Sequence, residues 1–116
     1  MKRFRFRWLC VALVSALSNG TASAATGPYM QPLRVSVLYT VNTSQVYVEF
    51  QPGSMPGCYG NSGGFLLTTN PRFKEIYAEL LMMIALGGVR AVVVYTQNVP
   101  TGNWSDCYFD GLHLVP

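Results

Sequence analysis

Histidine and charge are both scarce in this chain: His113 is the only histidine, and Asp, Glu, Lys and Arg together make up 11% of 116 residues. Acid-base and nucleophilic catalysis need a base held within reach of its target. Asp110 precedes His113 by three residues, a spacing that puts the two on opposite faces of a strand. Ser62 and Ser105 stand without an oxyanion-hole motif. No catalytic residue is legible, and an enzyme is not expected.

Metal ligands are equally few. Two cysteines, Cys58 and Cys107, with one histidine do not complete a zinc site, and Asp106 and Asp110 lack the glycine-containing ligand loop of a calcium site. Neither metal nor cofactor is expected. Long apolar runs are missing too, since Trp8 to Leu17 is too short to span a bilayer. That run reads instead as the centre of a secretory signal peptide over residues 1–24. Lys2, Arg3, Arg5 and Arg7 precede it, and Ala22, Ser23 and Ala24 offer a cleavage site. Arg7, Trp8 and Leu9 before Cys10 are not the small residues of a lipoprotein box. Export to a periplasm or the extracellular space follows.

Without that leader the basic surplus disappears. Residues 25–116 carry Arg34, Arg72, Lys74 and Arg90 against five acidic residues, so a nucleic acid has no clustered positive charge to meet. They form a single small domain, which buries only roughly 60–65% of its unfolded surface and needs extra stabilisation. Cys58 and Cys107, the pair left after Cys10 is removed, are expected to supply it as a disulfide in an oxidising compartment.

The strongest positive signal is a helix read over residues 70–88. Asn70 can cap it, Pro71 suits its first position, and Gly87 and Gly88 can end it. Phe73, Ile76, Tyr77, Leu80, Leu81 and Ile84 lie at the spacing of an apolar stripe. The opposite face begins polar, with Arg72, Glu75 and Glu79, then turns apolar with Met82, Met83 and Leu86. Something covers that second face: a loop of the chain, a partner subunit or a membrane surface. In the second of these readings Met82, Met83 and Leu86 form the contact with another copy of the chain.

Alternation predicts a strand over 33–40, a turn at Asn42, Thr43 and Ser44, and a second strand over 45–50. A Gly- and Pro-rich loop over 51–64 leads to a short strand over 65–69, and the helix follows. Val89 to Thr96 is apolar on both faces, as in a central strand. A loop over 97–105 precedes a last strand, or a broken pair, around Gly111. The order β-β-β-α-β-β, mainly β within the α+β class, fits a five-stranded barrel of the oligonucleotide- and oligosaccharide-binding (OB) type with its helix plugging one end. A small open α+β sheet is the alternative.

The run Arg72-Phe73-Lys74-Glu75-Ile76-Tyr77-Ala78-Glu79-Leu80-Leu81, continuing through Gly87-Gly88-Val89-Arg90 to Val94-Tyr95, resembles the binding subunits of subtilase cytotoxin and typhoid toxin. It is similar also to small exported bacterial proteins of unassigned role. The likeness covers residues 65–109 and implies an OB-type domain, a ring of subunits with helices facing its pore, and a glycan or protein receptor as partner.

Recognition also has support in the residues. Trp104 lies in a loop with Asn103 and Asp106, and the disulfide would draw Tyr59 toward it, giving aromatic surface beside amide and carboxylate groups. Tyr59, Asn103, Trp104 and Asp106 are the candidate ligand residues. The competing reading has Trp104 folded over the barrel end to shield the disulfide. Two functions remain: an exported, oligomeric, non-enzymatic binding module, or a monomeric periplasmic accessory protein.

Overall fold

A computed structural model describes residues 21–115. Most of the expected leader lies outside these residues. The described part is mainly β with one helix: β1 (Ser23–Thr26), β2 (Met30–Leu33), β3 (Val35–Thr40), β4 (Gln45–Phe50), β5 (Gly63–Leu67), α1 (Phe73–Leu86), β6 (Val89–Gln97) and β7 (Tyr108–Leu114). Seven strands replace the expected five. The mixed sheet runs β1-β6-β7-β5-β4-β3, with β2 also on β6. All pairs are antiparallel except β5 with β7, where Phe65 faces Tyr108.

The two additional strands lie at the N-terminal end. Ser23–Thr26 pairs with Val94–Gln97, so pairing begins just ahead of the expected cleavage point, and Ala25 and Thr26 beyond it still face Tyr95 and Val94. Small residues without alternation conceal β1, and Pro32, which has no N–H for a ladder, conceals β2. Flanked by β1 and β2 on one side and β7 on the other, β6 is the central strand its composition predicts. The break between β2 and β3 falls at Arg34. There the Gln51 side chain takes over the ladder's work: its amide nitrogen donates to the Pro32 carbonyl (2.6 Å) and its oxygen accepts from the Arg34 N–H (2.7 Å).

The hairpin turn between β3 and β4 is written in Asn42, whose Oδ1 accepts from the N–H groups of Ser44 (2.8 Å) and Gln45 (3.0 Å). Near Gly111 the last strand is bulged rather than broken: Val94 faces Gly111 and Tyr95 faces Phe109, leaving Asp110 as the extra residue.

The helix starts at Phe73, two residues beyond the Pro71 expected as its first position. Asn70 still contributes, but ahead of the helix, where its Oδ1 accepts from the Arg72 N–H at 2.8 Å. Gly87, in the left-handed conformation at φ 78°, ends it, and the N–H of Gly88 reaches the Met83 carbonyl at 3.0 Å. Ile76, Leu80 and Met83 are the fully buried face and join Val48, Phe50, Val93 and Phe109 in one core. Each such side chain contributes about 1.5–3 kcal/mol of burial.

Met83 therefore does not lie on the outer face. From Leu80 to Leu86 the helix is apolar all round, so spacing alone could not choose between Leu80 with Met83 and Leu81 with Ile84. Packing chooses the first pair; Leu81 and Ile84 are exposed.

Candidate ligand groove

The groove is made by a bulge. Val35 faces Phe50 and Val37 faces Glu49, which leaves Ser36 unpaired, its hydroxyl donating to the carbonyls of Phe50 (2.9 Å) and Glu49 (3.1 Å). One extra residue reverses the alternation. Leu38 now turns to the core, opposite Val48, while Val37 and Tyr39 move to the outer face with Tyr47 and Glu49. Strict alternation over 33–40 would place Val37 and Tyr39 on one face with Leu33 and Val35, toward the core.

On that outer face Tyr39 and Tyr47 are cross-strand partners with ring centroids 5.6 Å apart, and Phe65 on β5 faces Tyr47 with centroids at 5.3 Å. Trp104 closes over them. Its ring lies 5.1 Å from Tyr47 and 5.0 Å from Phe65 in edge contacts, and stacks on Tyr39 at 6.2 Å with an interplanar angle of 21°. Tyr47 is left only 3% exposed, whereas Trp104 keeps 42% of its surface in solvent.

The loop carrying Trp104 is held from several sides. The Asn103 amide donates to Gln45 Oε1 (2.5 Å), and Gln45 in turn donates to the Thr101 carbonyl (3.3 Å). The Thr101 hydroxyl bonds the Ser105 carbonyl, and the Ser105 hydroxyl donates to the Gly63 carbonyl at 2.8 Å. Cys107 joins Cys58 in the expected disulfide. That bond fixes the loop bearing Tyr59, whose path is secured further by Tyr95, its hydroxyl donating to the Pro56 carbonyl at 2.8 Å.

Val37, Tyr39, Tyr47, Glu49, Tyr59 and Trp104 line an open groove of about 390 Å³. Glu49 is its one charged residue, and the Tyr47 hydroxyl donates to Glu49 Oε1 at 2.6 Å. Burial, and then this bond, push the Tyr47 hydroxyl's pKa far up, so it stays a donor.

Of the four ligand residues read from sequence, Tyr59 and Trp104 line the groove. Asn103 is spent on Gln45, so it acts as a brace for the loop. Asp106 sits on the same loop, exposed and outside the lining; its carbonyl accepts from the Val99 N–H at 2.8 Å. Tyr39, Tyr47 and Glu49 escaped notice as site residues because only the bulge at Ser36 brings β3 and β4 onto one face here. His113 is an exposed residue of β7 opposite Val92. Met82 and Leu86 are 41% and 66% exposed, and with Leu81 and Ile84 they make an apolar helix face.

Among the described residues no helix is long and apolar enough to cross a membrane. The disulfide fits an oxidising, exported setting. Compared with known protein families, with curated proteins and with solved structures, the chain matches none of them.

Proposed function

We propose that this chain is an exported, non-enzymatic binding module that takes a glycan in the groove between Tyr39, Tyr59 and Trp104. The observation that carries the reading is three exposed rings and one carboxylate converging on a single concavity. Ring faces pack against the C–H surface of a sugar, and Glu49 accepts from its hydroxyl groups. The volume of about 390 Å³ lies in the range of small-ligand sites and suits one or two sugar units.

The architecture in this reading is an OB-type barrel with an added N-terminal strand. Supporting it, β2 lies on β6, β3 lies on β4, and only Arg34 separates them, so one bent stretch of chain pairs with both β6 and β4. The parallel β5–β7 pair and the helix between β5 and β6 also suit that arrangement.

Trp104→Ala should weaken glycan binding at least about tenfold, the loss of a central aromatic contact, with an unchanged far-UV circular dichroism spectrum. A glycan array followed by titration calorimetry measures it. Equal binding by wild type and variant would remove the groove from consideration.

The second surface of the module is the exposed apolar face of α1, which we assign to a second copy of the chain. Four neighbouring large side chains in solvent exceed the scattered single apolar residues normal on a monomer. Met82→Glu with Leu86→Glu should convert an oligomer to a monomer on size-exclusion chromatography with light scattering, while the spectrum of the fold persists. A wild type that is already monomeric sinks this assignment.

A further inference from the structure

The charges around the groove narrow its ligand, a step that rests on the glycan reading above. Glu49 is the one charged lining residue, and a carboxylate has about four acceptor positions, of which the Tyr47 hydroxyl uses one. No Lys or Arg lines the groove. Between Val35 and Pro71 the only formal charge is Glu49, and from Ala91 to Val115 the only ones are Asp106 and Asp110. The four basic residues of the described chain lie elsewhere: Arg34 at the β2–β3 junction, Arg72 and Lys74 at the start of α1, and Arg90 at the start of β6.

The rings add to this polarity. An aromatic face carries the negative side of its quadrupole, so Tyr39, Tyr59 and Trp104 attract a cation and disfavour an anion placed against them. A carboxylate among exposed rings, with no Lys or Arg in the lining, complements an organic ammonium group. An acidic sugar would meet like charge at Glu49.

We infer that the groove takes an amino sugar, with its protonated amine on Glu49 and against the rings while its C–H face lies on Trp104. The uncharged N-acetylated sugar fits the same space without the ion pair. Discrimination between the two is therefore electrostatic, and it resides in Glu49.

The test is titration calorimetry of the disulfide-bonded full chain, at mildly acidic pH, with three probes: a glucosamine oligosaccharide, its fully N-acetylated form and a sialylated oligosaccharide. The amine form should bind at least about tenfold more tightly than the N-acetylated one, the sialylated probe should give no detectable heat, and added salt should shrink the preference. Glu49→Gln, which keeps the size and an acceptor, should bring the ratio of the first two close to one. Circular dichroism checks that the variant folds. Equal or tighter binding of the N-acetylated or sialylated probe, lost in both cases on Trp104→Ala, overturns the cationic preference and leaves the groove standing. A ratio that survives Glu49→Gln overturns the assignment to that residue. Binding of no probe, or binding indifferent to Trp104, overturns the groove and this inference with it.

Discussion

Exchanging both Cys58 and Cys107 for alanine is expected to lower the unfolding free energy by about 4 kcal/mol, the chain-entropy value for a link across 49 residues. At roughly 4–8 °C per kcal/mol for a domain of this size, the melting temperature should fall by about 15–30 °C. The size of the effect follows from what the bond holds. The chain between Gln51 and Ser62 is a succession of turns, yet it supplies Met55 to the core and Tyr59 to the groove. Its backbone bonds around Asn61 run within the segment. What ties it to the rest is the disulfide, the Tyr95–Pro56 hydrogen bond, the Phe50 N–H to Ser62 carbonyl bond and the Gln51 side chain on Pro32 and Arg34. Without the cross-link the unfolded ensemble expands and this segment loses its anchor to β7. Differential scanning calorimetry of the two proteins measures the difference. A fall of only a few degrees would show that packing around Met55 and Tyr95 suffices by itself.

How far the sequence led depends on which residues had a local cause. Asn42 at the hairpin turn, Gly87 at the end of the helix and the valine run of β6 each act through their own backbone or their own period, and each was readable. So was the disulfide, since setting aside the expected leader with Cys10 leaves two cysteines to pair. The failures share a different origin. Whether Met83 or Leu81 is buried depends on where the helix axis settles over Val48 and Phe109, which no helical period can state. Which way Tyr39 points depends on a single unpaired residue, Ser36, several positions earlier. β1 and β2 exist because β6 offers an edge, and their own residues have little strand preference. The groove was half legible for the same reason: the loop residues Tyr59 and Trp104 stood out as exposed aromatics, whereas its hairpin wall needed the register.

Gly63→Ala is expected to damage the groove as much as removing the Trp104 ring does, although Gly63 is not part of the lining. Gly63 lies opposite Glu49 in the β4–β5 ladder, and a Cβ placed there would come within 2.1 Å of the Tyr47 hydroxyl and 2.7 Å of its ring. A side-chain end can often swing away from such a clash. This one is clamped between Phe65, Tyr39 and Trp104, and its hydroxyl is committed to Glu49. The absence of a side chain at Gly63 is therefore what lets Tyr47 lie flat across β5 and deliver its hydroxyl to the carboxylate. Adding a methyl group should cost about 1–3 kcal/mol through overpacking. It should also free Tyr47 from Glu49 and lift Trp104, with binding falling to the level of Trp104→Ala although no groove-lining residue has changed. Chemical denaturation gives the first quantity and titration calorimetry the second. Tyr47→Phe separates the two effects, because it removes the hydroxyl that makes the closest contact: combined with Gly63→Ala it should recover part of the stability and none of the hydrogen bond to Glu49. An alanine variant that binds like wild type would show that the groove tolerates a displaced Tyr47, and that its shape is set by the Trp104 loop alone.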